Sequence, residues 1–220
     1  MNVEPIANEI LKRAAGAARF VVAIAGPPGA GKSTLAEALA ETLVAGGERA
    51  AVLPMDGFHM DNAVLEEKGL LPRKGSPETF DVRAFLSTVA AVRANDGEVL
   101  VPVFDRSREI AIASARIVAP ETRIILVEGN YLLLDEAPWD RLEGAFDFSI
   151  FINPGVAELE RRLLQRCPIT AMTRRRRSAR LSVTTSRTRI VWSTISGRRI
   201  WYLRISERWS DCGLCLRAHW

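Results

Sequence analysis

An α/β fold, a parallel sheet flanked by helices, is predicted by three features of the sequence. Four short apolar runs, Phe20 to Ala25, Ala50 to Leu53, Ile124 to Val127 and the one inside "FDFSIFINP", have the length and continuity of strands buried on both faces. Segments with apolar residues at helical spacing lie between them, such as Leu35, Ala38, Leu39 and Leu43. The first run leads straight into a glycine-rich turn and a helix. In such sheets ligands collect at the carboxyl ends of the strands.

The chain opens with "MNVEPIANEILKRAAGAARF", where Glu4, Glu9, Lys12 and Arg13 interrupt apolar residues at helical spacing. That is an amphipathic helix and not the unbroken apolar region of a signal peptide. No run is long enough to cross a bilayer, so a cytoplasmic protein without a membrane partner is expected. At 220 residues, 48% of them hydrophobic, there is room for one sizeable core and hardly for two.

The turn after the first strand fits G-x-x-x-x-G-K-[ST], with Gly26, Gly29, Ala30, Gly31, Lys32, Ser33 and Thr34 as the candidate nucleotide-binding residues. Its glycines let successive N–H groups and the helix N-terminus point at phosphate oxygens. Lys32 can reach the outer phosphates and the Ser33 hydroxyl can ligate magnesium, which makes this a P-loop and ATP with Mg2+ the expected cofactors. A P-loop identifies a nucleotide and not a reaction.

The second strand ends in "MDGFHMDN", which puts Asp56 and His59 near the loop. Asp56 either accepts a proton from an attacking hydroxyl or caps a turn. The third strand runs into Glu128, either a magnesium-supporting carboxylate or a solvated strand end. Between these strands a segment with a helix over Val82 to Ala94 and a hairpin near Leu100 to Phe104 and Ala115 to Val118 suits an inserted substrate lobe, about residues 57–120. Its polar cluster, Asp105, Arg106 and Arg108, is a set of substrate contacts or a solvated turn. After the fourth strand, "PGVAELERRLLQR" carries Arg161, Arg162 and Arg166, which face phosphates or only solvate a helix.

Together "GPPGAGKST", "MDGFHMDN", "KGSPETFDVRAF", "VPVFDRSREIA" and "VEGNYLLL" resemble, in order and spacing, the uridine kinase, phosphoribulokinase and bacterial pantothenate kinase group of P-loop kinases. The resemblance is nearest to the branch of fructose-transport-system or sugar kinases and spans about Arg19 to Gln165. It implies a P-loop NTPase fold and transfer of the γ-phosphoryl of ATP to a hydroxyl of a small molecule, a sugar before a nucleoside or pantothenate. It further implies Asp56 and Lys32 as catalytic residues, Ser33 and Glu128 at magnesium, His59, Arg106 and Tyr131 at the substrate, and Arg162 and Arg166 in a lid. Homodimers are common in the group.

The last quarter of the chain reads differently. Residues 1–165 carry 17 Lys and Arg against 24 Asp and Glu, and residues 166–220 carry 13 against 2, although the whole chain nets only +4. The boundary divides a kinase domain, residues 1–166, from a basic tail, 167–220, expected to be poorly ordered. With "RRRRSAR" and Trp192, Trp201 and Trp209, that tail could make the protein a nucleotide-dependent nucleic-acid binder, though this is the less favoured reading. Cys212 and Cys215 form half a zinc site, but Cys167 and His219 do not complete the usual spacing.

A displaced reading frame explains the tail better. With one base lost near Gln165 to Cys167, Met172-Thr173 must encode Asp, "VTTSRTRIVWSTIS" can read N-D-L-P-N-A-H-R-L-V-D-N-I, and "RRIWYL" can read A-D-L-V-L. These are the group's missing adenine-side loop and last strand. The written chain is therefore expected to lack its C-terminal strand, to be poorly soluble and to be weakened in activity.

Overall fold

The computed structural model describes residues 2–155, 157–159 and 161–162, and the backbone of 201–204. In chain order its elements are α1 (Glu4–Arg13), β1 (Phe20–Ala25), α2 (Lys32–Ala45), β2 (Ala50–Pro54), α3 (Asn62–Glu67), α4 (Val82–Ala94), β3 (Val99–Asp105), β4 (Ile110–Val118), β5 (Ile124–Gly129), β6 (Phe148–Asn153) and β7 (Trp201–Arg204). Five parallel strands form one sheet in the order β2-β5-β1-β6-β7, and β3 pairs antiparallel with β4 as a separate ribbon.

Alternation along each strand divides the core between the two faces of the sheet. On one face Val22, Ile24, Leu126 and Ile150 pack against Ile6 and Ile10 of α1 and Leu35, Leu39 and Leu43 of α2. On the other, Ala23, Leu53, Val127 and Phe151 meet Phe85, Val89 and Val92 of α4, Val101 of the ribbon, and Leu132 to Leu134 with Trp139 beyond β5. Every residue of β1 and β5 is buried, as their unbroken apolar runs require.

Strand register brings the functional ends together. Ile24 and Pro54 both lie opposite Glu128, so β1, β5 and β2 stop at one level. The P-loop leaves β1 there, and a 3-10 turn, Met55–Phe58, leaves β2. Gly57 in that turn lies against the ribbon: a β-carbon on it would sit 2.4 Å from the carbonyl oxygen of Pro102. Only glycine lets the turn carrying Asp56 press this closely on the ribbon.

Four features add to the sequence reading. The sheet edge beyond β6, expected to have lost its strand, is filled by Trp201–Arg204, inside the "RRIWYL" segment. Bulky residues of high β propensity lie at that position, and they pair there with an otherwise open edge. Strand β4 begins at Ile110 and not Ala115, because the Asp105 carboxylate accepts from the N–H groups of Ser107 and Arg108 and closes a tight turn. The ribbon shifts register between Val101 and Val103, at Pro102, which has no N–H for the ladder. The short α3 was not foreseen; Asp61 caps it by accepting from the Ala63 N–H.

Candidate active site

The P-loop curls from β1 into α2, and Gly31, the residue before the helix, has φ 96°, a left-handed conformation that favours glycine. Lys32 follows and is 8% exposed. Its ammonium donates to the Pro27 carbonyl oxygen at 3.1 Å and to Asn130 Oδ1 at 2.6 Å, so the chain folds the lysine back over its own loop. Ser33 Oγ donates to Glu128 Oε1 at 3.0 Å.

Glu128 is 5% exposed. Burial raises its pKa; attraction to Lys32 and the Ser33 hydrogen bond oppose the rise, while the Asp56 carboxylate adds to it. A buried carboxylate whose charge is only partly compensated, joined to a hydroxyl at the lip of a phosphate loop, fits magnesium, which takes few protein oxygens and keeps waters and phosphate ligands. Among the described residues no group of three or more His, Cys, Asp or Glu side chains forms an all-protein cage.

Asp56 faces this pair from the neighbouring strand. Its Oδ2 accepts from Arg106 at 2.6 Å, so the turn of the ribbon reaches the end of β2. Oδ1 takes no hydrogen bond from the described residues. His59 donates twice to the Asp56 carbonyl oxygen, from its backbone N–H at 3.1 Å and from Nδ1 at 2.8 Å, which fixes the proton on Nδ1. Its ring is held between Phe80 and Phe104, centroids 4.1 and 4.6 Å away.

Burial lowers the His59 pKa; the Asp56 carbonyl and carboxylate oppose the shift, and Lys74 and Arg106 reinforce it. The unfolded chain therefore binds this proton at a higher pH than the folded one, and stability falls as pH drops through about 6.5 toward the folded value. Urea midpoints measured between about pH 7.5 and 5.5 should decline for the parent chain and decline less for His59→Gln. Equal slopes would show that His59 does not titrate in this way.

Tyr131, expected at the substrate, is turned toward a loop. It is 5% exposed, and its hydroxyl donates to the Gly75 carbonyl oxygen at 2.7 Å. Burial raises its pKa. Trp139 Nε1 donates to the Pro77 carbonyl at 3.3 Å, and Phe80 packs against both rings, with centroids 5.8 Å from Tyr131 and 5.9 Å from Trp139. These aromatics hold the "KGSPETF" loop, which through Phe80 supports His59.

Arg162 lies against the P-loop: Nη1 donates to the Ala30 carbonyl oxygen at 3.2 Å and Nε to Glu158 Oε1 at 2.5 Å. Glu158 also takes Arg161, and the hydrogen bonds from the two arginines hold its carboxyl down to about 2. Arg166 lies outside the described residues. Arg108 is turned onto Asp105, so of the ribbon cluster it is Arg106 that reaches the site. Sequence reading missed Asn130 and Glu158. The i, i+4 spacing of Glu158 and Arg162 was a usable signal for one, and the position of Asn130 just past a strand tip was a usable signal for the other.

The chain is similar to several known proteins. A crystal structure of a candidate fructose transport system kinase from Silicibacter sp. TM1040 superposes with a TM-score of 0.80 at 40% identity, over 91% of this chain and 98% of the other. The uncharacterized Escherichia coli (strain K12) protein YggC is 39% identical over 159 residues, 71% of this chain and 65% of YggC. The pantothenate kinase of Leifsonia xyli subsp. xyli (strain CTCB07) is 35% identical over 152 residues, 67% of this chain and 47% of that enzyme. The chain thus spans less than two thirds of YggC and about half of that pantothenate kinase. A family model for the methylmalonyl-CoA mutase-associated GTPase MeaB matches residues 2–73, the part that holds the P-loop.

Proposed function

Because the chain belongs to the P-loop small-molecule kinases of the uridine kinase and bacterial pantothenate kinase group, we propose that it transfers the γ-phosphoryl of ATP to a hydroxyl of a small molecule, a sugar before a nucleoside or pantothenate. The observation that carries this reading is the placement of Asp56, with Oδ1 open, on the strand beside the Ser33 and Glu128 pair at the mouth of the P-loop.

Gly26 to Thr34 hold the phosphates through backbone N–H groups and Lys32. Ser33 and Glu128 hold magnesium, which when bound neutralises phosphate charge. Asp56 takes the proton of the acceptor hydroxyl as its oxygen bonds to the γ-phosphorus and the bond to the β–γ bridging oxygen breaks, releasing ADP. Arg106 sets the Asp56 carboxylate and, with His59, lines the acceptor side. Arg162 closes over the transferred group. The reaction is one of positioning and charge neutralisation. The preference for a sugar is supported by the 40% identical Silicibacter structure, and the wider class by the pantothenate kinase.

An ADP-release assay across sugars, sugar alcohols, nucleosides and pantothenate tests the reading. A sugar should stimulate release well above the acceptor-free rate; stimulation by none of these would refute it. The displaced frame is part of the same reading and concerns residues 167–220, which lie outside the described residues apart from 201–204. Resequencing the gene decides that part.

A further inference from the structure

We propose that Asn130 is a positioning residue that sets the Lys32 ammonium for the nucleotide phosphates and must be uncharged to do so; the inference rests on the kinase reading above. Ala25 pairs with Gly129, so Asn130, the next residue after β5, lies beside the start of the P-loop on β1. From there its Oδ1 accepts from Lys32 Nζ at 2.6 Å, while the Pro27 carbonyl accepts at 3.1 Å. These two hydrogen bonds direct the ammonium by acceptors without net charge, which hold it over the loop without opposing its charge.

The neighbourhood explains why an amide serves here. Glu128, two residues before Asn130, is buried and attracts Lys32. A lysine without its amide partner would relax toward that carboxylate, and a carboxylate at 130 would neutralise it directly. Either change weakens the ammonium's hold on phosphate, and the second would also compete with the Ser33 and Glu128 pair for Lys32.

The test measures nucleotide binding by calorimetry on the full chain with ATP and magnesium, without an acceptor. Asn130→Asp preserves shape and keeps an oxygen for Lys32. It should weaken ATP about tenfold, the scale of a hydrogen bond to a charged group, while the melting temperature without nucleotide stays the same or rises. Asn130→Ala should weaken ATP by a similar factor. In a Lys32→Ala background neither change should weaken ATP further, because the effect runs through the lysine.

Equal losses in the Lys32→Ala background, or parent-like ATP affinity in both single variants, would overturn the assignment. A parent chain that binds no nucleotide would instead overturn the kinase reading and this inference with it. A chain that binds ATP normally while its Asn130 variants do too fails here alone.

Discussion

Asp56→Asn is expected to lower phosphoryl transfer about 10²- to 10⁴-fold, with ATP affinity nearly unchanged. The amide keeps the shape of the carboxylate and can still accept from Arg106 Nη2, which meets Oδ2 at 2.6 Å in the parent. What it loses is the capacity to take a proton. The other reading of Asp56, a capping residue, finds no support in its contacts: its turn begins at Pro54, and no side-chain cap is made there. Single-turnover transfer and nucleotide binding, measured on the same sample, separate the steps. Parent-like turnover in Asp56→Asn would remove the base from the mechanism.

The second large effect is on stability. Trp139 is 1% exposed and touches Phe80, Phe85 and Tyr131, with ring centroids 5.5 to 5.9 Å away. Trp139→Ala should cost about 3–5 kcal/mol through lost burial and the cavity left behind, a large share of the 5–15 kcal/mol that typically holds a domain together. Because Trp139 also donates to the Pro77 carbonyl, Trp139→Phe should recover most of the packing but stay about 1 kcal/mol below the parent. Urea unfolding measures both. A loss under about 1 kcal/mol for alanine would show that the aromatic group does not brace the "KGSPETF" loop.

The parts of this fold legible in the sequence were those governed by local pattern. The runs at Phe20 and Ile124 read as doubly buried strands because both faces of a covered parallel sheet exclude polar side chains, and the P-loop motif specifies its own backbone. Asp56 and Glu128 could be placed because strand tips in such sheets converge. The contacts of Asn130 and Tyr131 could not, because each depends on a partner brought in by tertiary packing: a P-loop lysine 98 residues away in sequence and a loop carbonyl 56 residues away. The pairing of Trp201–Arg204 with β6 likewise depends on packing between distant segments. Composition marked residues 167–220 as anomalous, yet an open strand edge can recruit a short segment such as Trp201–Arg204 whatever surrounds it.

The central claim is that phosphate leaves ATP for a small-molecule hydroxyl, and the most direct measurement follows a labelled γ-phosphoryl group in reactions with the acceptor panel. The account predicts that the label appears in an organic phosphate ester, that the ester depends on magnesium, and that Asp56→Asn removes it. Label recovered only as inorganic phosphate, at a rate indifferent to every acceptor, would contradict the account and leave a nucleotide hydrolase in its place.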